Sequence, residues 1–251
     1  MASDLVALCF GAREPSVLAA FWSGLLDRRT EEVPGGTDLV PDGGADLRIR
    51  FVPFDEPKAG RNQTHLHLTS TSPEDQDAIV RRALALGGGH LDVGQLPEEG
   101  HIVLADPEGN EFCVIEPGNS FLAGTAPVGE LSCDGSPAVG RFWSAALDWP
   151  LVWDQDEETA IQSPRGGTKI SWGGPPYNEK RGSNRLFLTL APVAGDAQQE
   201  AERLVLLGAG RVDRPVGGLG GVAMTDPGGN EFVVLESRPA RPAPRPTAAA
   251  T

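Results

Sequence analysis

Asp106-Pro107-Glu108-Gly109-Asn110-Glu111-Phe112 runs into Cys113-Val114-Ile115-Glu116, and Asp226-Pro227-Gly228-Gly229-Asn230-Glu231-Phe232 runs into Val233-Val234-Leu235-Glu236. Two halves of a chain that close in the same way mark an internal repeat. Asp-Pro-x-Gly-Asn is turn chemistry: proline fixes φ, glycine supplies a positive φ, and the Asp and Asn side chains bond nearby backbone. The apolar residues behind the turn, Phe112 and Val114 or Phe232 and Val234, recur at a period of two with further apolar residues between them. Each copy therefore ends in a hairpin whose last strand is buried.

Other matches keep nearly the same spacing. Phe21-Trp22 answers Phe142-Trp143, and Asn62-x-x-His65-Leu66-x-Leu68 answers Asn184-x-x-Phe187-Leu188-x-Leu190. The chain is a tandem duplication, read as a first domain over 4–117, a linker over 118–126 and a second domain over 127–236. The Pro- and Ala-rich tail over 237–251 has no apolar periodicity to bury and reads as disordered.

A chain of 251 residues with 39% hydrophobic and 22% charged residues holds two such domains, each large enough for its own core. No apolar run reaches membrane length and no export signal opens the sequence, so a soluble, cytoplasmic protein is expected. A net charge of −14 argues against nucleic acid, which needs a positive footprint. Cys9, Cys113 and Cys133 are odd in number and fall in predicted strands, which points to reduced thiols.

Within each half the pattern is strand, helix and up to three strands, twice over. Leu5 to Phe10 is an apolar strand, and Glu14-Pro15-Ser16 opens a helix with Leu18, Phe21, Trp22 and Leu25 on its apolar stripe. Leu47 to Pro53 alternates, with Leu47, Ile49 and Phe51 on one face and Arg48 and Arg50 on the other. Thr64 to Thr69 is a strand, and Ser72 caps a helix that runs to Gly87. The second half repeats the scheme through strands at Val128 to Cys133, Thr168 to Trp172 and Leu186 to Leu190. Trp22 and Trp143 read as core, and Asn62 and Asn184 as residues that bond the turn entering the fifth strand of each copy.

The repeated β-α-β-β-β unit, the Phe-Trp helix pair, the His-Leu-x-Leu strand and the Asp-Pro-x-Gly-Asn hairpin together resemble the vicinal oxygen chelate superfamily, which includes glyoxalase I, extradiol dioxygenases and bleomycin-resistance-type proteins. The resemblance implies an α+β fold of two tandem glyoxalase-like domains, each built of paired β-α-β-β-β units forming an eight-stranded cup with helices outside and ligand inside. Strand alternation then sets the faces. With Leu66 and Leu68 toward the helix, His65 and His67 face a cup; with Phe112 and Val114 buried outside, Cys113 faces it too. Arg48, Arg50, His65, His67 and Cys113 are thus expected to converge in the first domain as ligand-binding residues, with Trp172 beside the second cup. Catalytic residues stay unassigned.

Metal-using members of the superfamily carry His, Gln or Glu ligands on the first, fourth, fifth and last strands. The last-strand glutamate position falls on Cys113 and Val233, and the fifth-strand histidine position on His65 and Phe187. First-strand candidates are Ala7 and Glu130; Lys169 and Ser171 occupy fourth-strand positions of the second domain. No metal is favoured. One strand separates His65 from His67 by roughly 7 Å at Cα, and Arg48 and Arg50 would repel a cation. The alternative is a divalent ion in the first domain on His65, His67 and Cys113, donors that suit zinc.

The expected function is binding of a small organic molecule in a metal-free cup, in the manner of resistance or sequestration proteins. The other reading is a metal-dependent glyoxalase I-type lyase or extradiol-type dioxygenase with its site in the first domain. The expected partners are the small-molecule ligand and, inside the chain, the other domain of a pseudo-dimer. The whole is expected as a monomer or homodimer.

Overall fold

A computed structural model describes residues 2–236, apart from 42, 44, 45 and 97. The tail read as disordered lies outside the described residues. Four copies of one unit follow each other. The first is β1 (Ser3–Ala12), α1 (Pro15–Leu26), β2 (Thr30–Val33), β3 (Gly36–Leu39) and β4 (Ile49–Pro53). The second is β5 (Thr64–Leu68), α2 (Pro73–Ala85), β6 (Gly89–His90), β7 (Ile102–Ala105) and β8 (Glu111–Val114). The third is β9 (Val128–Asp134), α3 (Pro137–Leu147), β10 (Leu151–Gln155), β11 (Glu158–Gln162) and β12 (Lys169–Gly173). The fourth is β13 (Leu186–Pro192), α4 (Ala197–Leu206), β14 (Gly210–Arg211), β15 (Val222–Thr225) and β16 (Glu231–Val234).

Local sequence explains the helix ends. Pro15 and Pro137 stand in the first turn of α1 and α3, and both helices stop at a left-handed aspartate, Asp27 and Asp148. In α2 and α4 a side-chain cap does the work at the start: Ser72 accepts from the Asp75 amide, and Asp196 from that of Gln199. Among the described residues no helix is long and apolar enough to cross a membrane.

The motifs that recur in the sequence are bonded to each other. Asp106 Oδ1 accepts from the amides of Glu108 and Asn110 at 3.0 and 2.9 Å, while its Oδ2 accepts from Trp22 Nε1 at 3.2 Å. Asp226 does the same with Gly228, Asn230 and Trp143. Gly109 and Gly229 take φ of 81° and 82°, the conformation that makes glycine necessary there. Asn62 and Asn184 donate to Asn110 and Asn230, so each asparagine ties the segment entering the fifth-type strand to the turn.

Two eight-stranded sheets result, ordered β14-β15-β16-β13-β1-β4-β3-β2 and β10-β11-β12-β9-β5-β8-β7-β6. The units pair across the copies. The first unit joins the fourth through antiparallel β1 and β13, and the second joins the third through antiparallel β5 and β9. The connector between β8 and β9 keeps the third unit in the same sheet as the second, and the segments after β4 and β12 carry the chain from one sheet to the other. We call the concave face of the first sheet cup A and that of the second cup B. The helix-facing sides of both sheets merge into one core that includes Phe10, Trp22, Phe51, Phe112, Trp172 and Phe232.

Packing in that core is close. A Cβ on Gly140 of α3 would fall against Thr159 Oγ1 of β11 and within 2.9 Å of Trp172 Cε3. Gly140→Ala should therefore lose about 1–2 kcal/mol of stability, the overpacking cost exceeding the gain in helix propensity. Urea denaturation measures it; an unchanged or higher midpoint would show that Thr159 moves aside freely.

Candidate functional site

The cross-pairing decides what each cup contains. Arg48 and Arg50 belong to the sheet of cup A, whereas His65, His67 and Cys113 belong to that of cup B. The expected convergence of these five residues is corrected accordingly. Alternation had placed each residue on a concave face, but alternation says nothing about which strand lies beside which.

In cup A both arginines are occupied. Arg50 donates from Nε and one terminal nitrogen to the two oxygens of Asp38 at 2.6 and 3.0 Å, and Arg48 donates to the same carboxylate at 3.0 Å. Asp38 lies on β3, directly across from Arg50. The bond to Asp38 raises the Arg50 pKa further against the opposing pull of burial. The remainder of cup A is filled by Cys9, Val52, Phe187, Val216, Ala223 and Val233. Gly217 brings its loop so close that a Cβ there would strike the Phe187 ring and lie 3.2 Å from Val52. Cup A is a packed interior.

Trp172 is 1% exposed and stacks on Trp143, with centroids 6.5 Å apart and planes 10° apart, and it also lines the open cavity of cup B beside Ser171 and Lys169. On β12 it shares the helix-facing side with Ile170, opposite Lys169 and Ser171, as the period of two requires.

Cup B gathers the titratable groups. His67 and Glu130 are cross-strand partners on β5 and β9, and Cys113 of β8 stands beside His67 on the other side. Glu130 Oε2 lies 2.6 Å from His67 Nδ1, and His67 Nε2 lies 2.9 Å from His65 Nε2. The other Glu130 oxygen accepts from the Ser171 hydroxyl. Lys169 of β12 is cross-strand from Glu130; its ammonium donates to the Phe121 carbonyl and sits 4.4 Å from the centre of the Phe121 ring.

These contacts separate the two histidines. Burial, helped by the neighbouring His67, drives the His65 pKa down to about 3. Burial also opposes charge on His67, but hydrogen bonds to Cys113 and Glu130 and the Glu130 charge outweigh it and push the pKa up to about 10. Burial would raise Glu130, yet His67 and Ser171 hold it below the usual carboxylate range. At neutral pH the cluster is a carboxylate, an imidazolium and a neutral imidazole in a row, with His67 donating to both neighbours.

The cluster borders an open cavity of about 440 Å³ at Glu130 and Ser171, lined also by Ser132, Lys169, Phe121 and Trp153. Trp153 is 37% exposed and meets Phe121 edge-on at 6.2 Å. Of these, the sequence had singled out Glu130, Lys169 and Ser171 only as strand positions of a separate second-domain cup. Phe121 falls in the segment read as linker, and no sequence signal distinguishes it.

The donor set also fits a metal ion. The ring nitrogens of His65 and His67 and the Cys113 sulfur all lie within 4.8 Å of one another. Two imidazoles and a thiol suit zinc, and a carboxylate on the far nitrogen of a histidine is the usual device that orients such a ligand. Both earlier objections fall: the two Nε2 atoms meet despite the strand spacing, and Arg48 and Arg50 are in the other cup.

The model of a family described as glyoxalase-like domain matches residues 7–115 and again 130–235. No curated protein matches the chain in sequence. Among solved structures, glyoxalase I from Zea mays is similar at a TM-score of 0.63 and 14% identity, over 94% of this chain and 92% of that one. A protein described as a putative dioxygenase from Bacillus subtilis is similar at a TM-score of 0.58 and 12% identity, over 94% and 85%. At these identities the likeness is one of fold.

Proposed function

The chain belongs to the glyoxalase-like domain family, and from that premise we propose that it binds a small organic molecule with an oxygen-rich head group in cup B. One observation carries the reading: cup A is filled by its own side chains, while cup B opens on a cavity of about 440 Å³ with polar groups on one wall and aromatic groups on another. Pockets of this size with a few convergent polar groups are where small ligands bind. Lys169, Ser132 and Ser171 can donate to a head group, and Glu130 can accept while His67 neutralises its charge. Phe121 and Trp153 offer apolar surface to the body of the ligand. Three free, buried cysteines support a reducing, cytoplasmic setting.

The convergence of His65, His67 and Cys113 favours a second reading, metal-assisted chemistry of the lyase, isomerase or dioxygenase kind. A bound ion would polarise an oxygen of the ligand as a Lewis acid. Glu130 would then hold the His67 ring in place, and Lys169 and Ser171 would orient the head group.

A thermal-shift screen of carboxylates and hydroxylated aromatics, run on chelator-treated and on zinc-loaded protein, tests both readings. For any hit, Lys169→Met should weaken binding about tenfold, the effect of losing one hydrogen bond from a charged donor, with the unliganded melting temperature nearly unchanged. A hit indifferent to Lys169→Met and to Glu130→Gln would place the ligand outside cup B.

A further inference from the structure

The two connectors that carry the chain between the sheets, residues 54–63 and 174–185, are copies of one another: Lys58-x-Gly60-x-Asn62 answers Lys180-x-Gly182-x-Asn184. They also lie against each other. A Cβ on Gly60 would stand 3.4 Å from Arg181 Cδ, Gln63 Nε2 donates to the Asn178 carbonyl at 3.1 Å, and Arg185 donates to the Glu56 carbonyl at 3.3 Å. Between them is an open cavity of about 240 Å³ whose wall includes Lys58, Arg61, Lys180, Arg181 and Arg185 against a single acid, Glu56. Five of the chain's 21 lysines and arginines thus gather at one place on a protein of net charge −14. This cavity shares no lining residue with that of cup B.

Three of the five cations are committed to carboxylates: Lys58 to Glu111 at 2.7 Å, Lys180 to Glu231 at 2.6 Å and Arg185 to Glu108 at 3.1 Å. The other two are available. Arg61 is exposed, donates to the Val93 carbonyl at 3.3 Å and has no carboxylate partner among the described residues. Arg181 meets Glu179 with both side chains well solvated, 61% and 75% exposed, and such a screened pair contributes little. Glu56, the one acid of the wall, has Arg214 at 4.0 Å to offset its charge. A second observation marks the same place. Among the described residues three buried side-chain polar atoms lack a hydrogen-bond partner, and two of them, Asn184 Oδ1 and Arg185 Nε, belong to adjacent residues of this wall. Buried polar atoms in that state call for a further partner.

We infer that this cavity binds a compact dianionic oxyanion, a phosphate or a small dicarboxylate, between Arg61 of the first domain and Arg181 of the second. Both kinds of anion present paired oxygens to a planar guanidinium fork, which grips them bidentately. The local field of the clustered cations, and not the net charge of the chain, decides what enters. An anion held from both connectors ties the two halves of the duplication together, so binding stabilises the whole chain. The inference is independent of what cup B binds.

Titration of the full-length protein with inorganic phosphate and, separately, with malonate tests this, by calorimetry and by thermal shift, at millimolar anion and an ionic strength held constant with sodium chloride. At least one of the two should bind saturably, one per chain, and raise the melting temperature; which one does so separates a phosphoryl from a carboxylate ligand. Arg61→Ala and Arg181→Ala should each weaken that binding about tenfold, with the unliganded melting temperature nearly unchanged because both side chains are exposed. In the unmutated chain the bound anion should protect Arg61 and Arg181 from phenylglyoxal, read by peptide mass mapping. Lys169→Met, in cup B, should leave the anion's affinity as it was. No saturable binding of either anion would overturn the site, as would a stabilisation that climbs without saturating, the behaviour of an anion excluded from the surface. Binding indifferent to both arginine variants would overturn it too. Affinity lost in Lys169→Met and kept in Arg61→Ala would place the anion in cup B, supporting the reading of that cup and removing this one.

Discussion

Residues 4–117 produced alone should sediment as a dimer, and its melting temperature should rise with protein concentration. Cutting the chain there removes β13 from β1 and β9 from β5, so both sheets lose half their strands and two interior strands become edges. Exposed edges seek partners. The best available partner is a second copy, because β13 is the repeat of β5 and β9 is the repeat of β1: pairing β1 of one copy with β5 of another restores the antiparallel contact seen twice in the intact chain. An obligate dimer of this kind has a stability tied to its concentration. Sedimentation velocity and concentration-dependent melting check the result. A monomer as stable as the full chain would mean that the cross-copy pairing contributes little.

Arg50→Ala should destabilise the protein by about 3–5 kcal/mol, the usual cost of removing one partner of a buried ion pair. Asp38 is 1% exposed and Arg50 7%, and the bidentate geometry leaves the carboxylate dependent on that side chain. Arg48 also reaches Asp38, but its side chain is 33% exposed, so Arg48→Ala should cost about 0–1 kcal/mol, as for a solvent-screened pair. The sequence had suggested a different role for Arg50, a ligand contact. Denaturant midpoints of the two variants decide between them, and equal, small losses for both would return Arg50 to the list of binding residues.

The contrast between these two arginines shows how far a sequence can be read. Face assignment was legible: a period of two placed Arg50, His65, His67 and Cys113 on concave surfaces, and all four are there. The same rule, applied without exception, would have put Trp172 in the core with Ile170. The hairpin strand β3 was hidden among glycines and an acidic residue, and with it went Asp38, the reason Arg50 is occupied. Neighbour relations were not legible, since Glu130 meets His67 only because two sheets are assembled from opposite halves of the duplication. The turn network was legible in outline: Asp106, Trp22 and Asn62 recur together because they bond to one another.

The pairing of β1 with β13 also sets an order of events during synthesis. The second sheet is complete once the chain has emerged through Gly173, and β5 meets β9 at moderate sequence separation. The first unit, made earliest, must wait for Leu186–Pro192 before β1 has a neighbour on its β13 side. Contacts between distant segments form late, and a waiting apolar edge is open to wrong partners in the meantime. The first sheet, whose cup is packed shut, is thus the last part of this protein to become itself, and the cup that remains open is finished first.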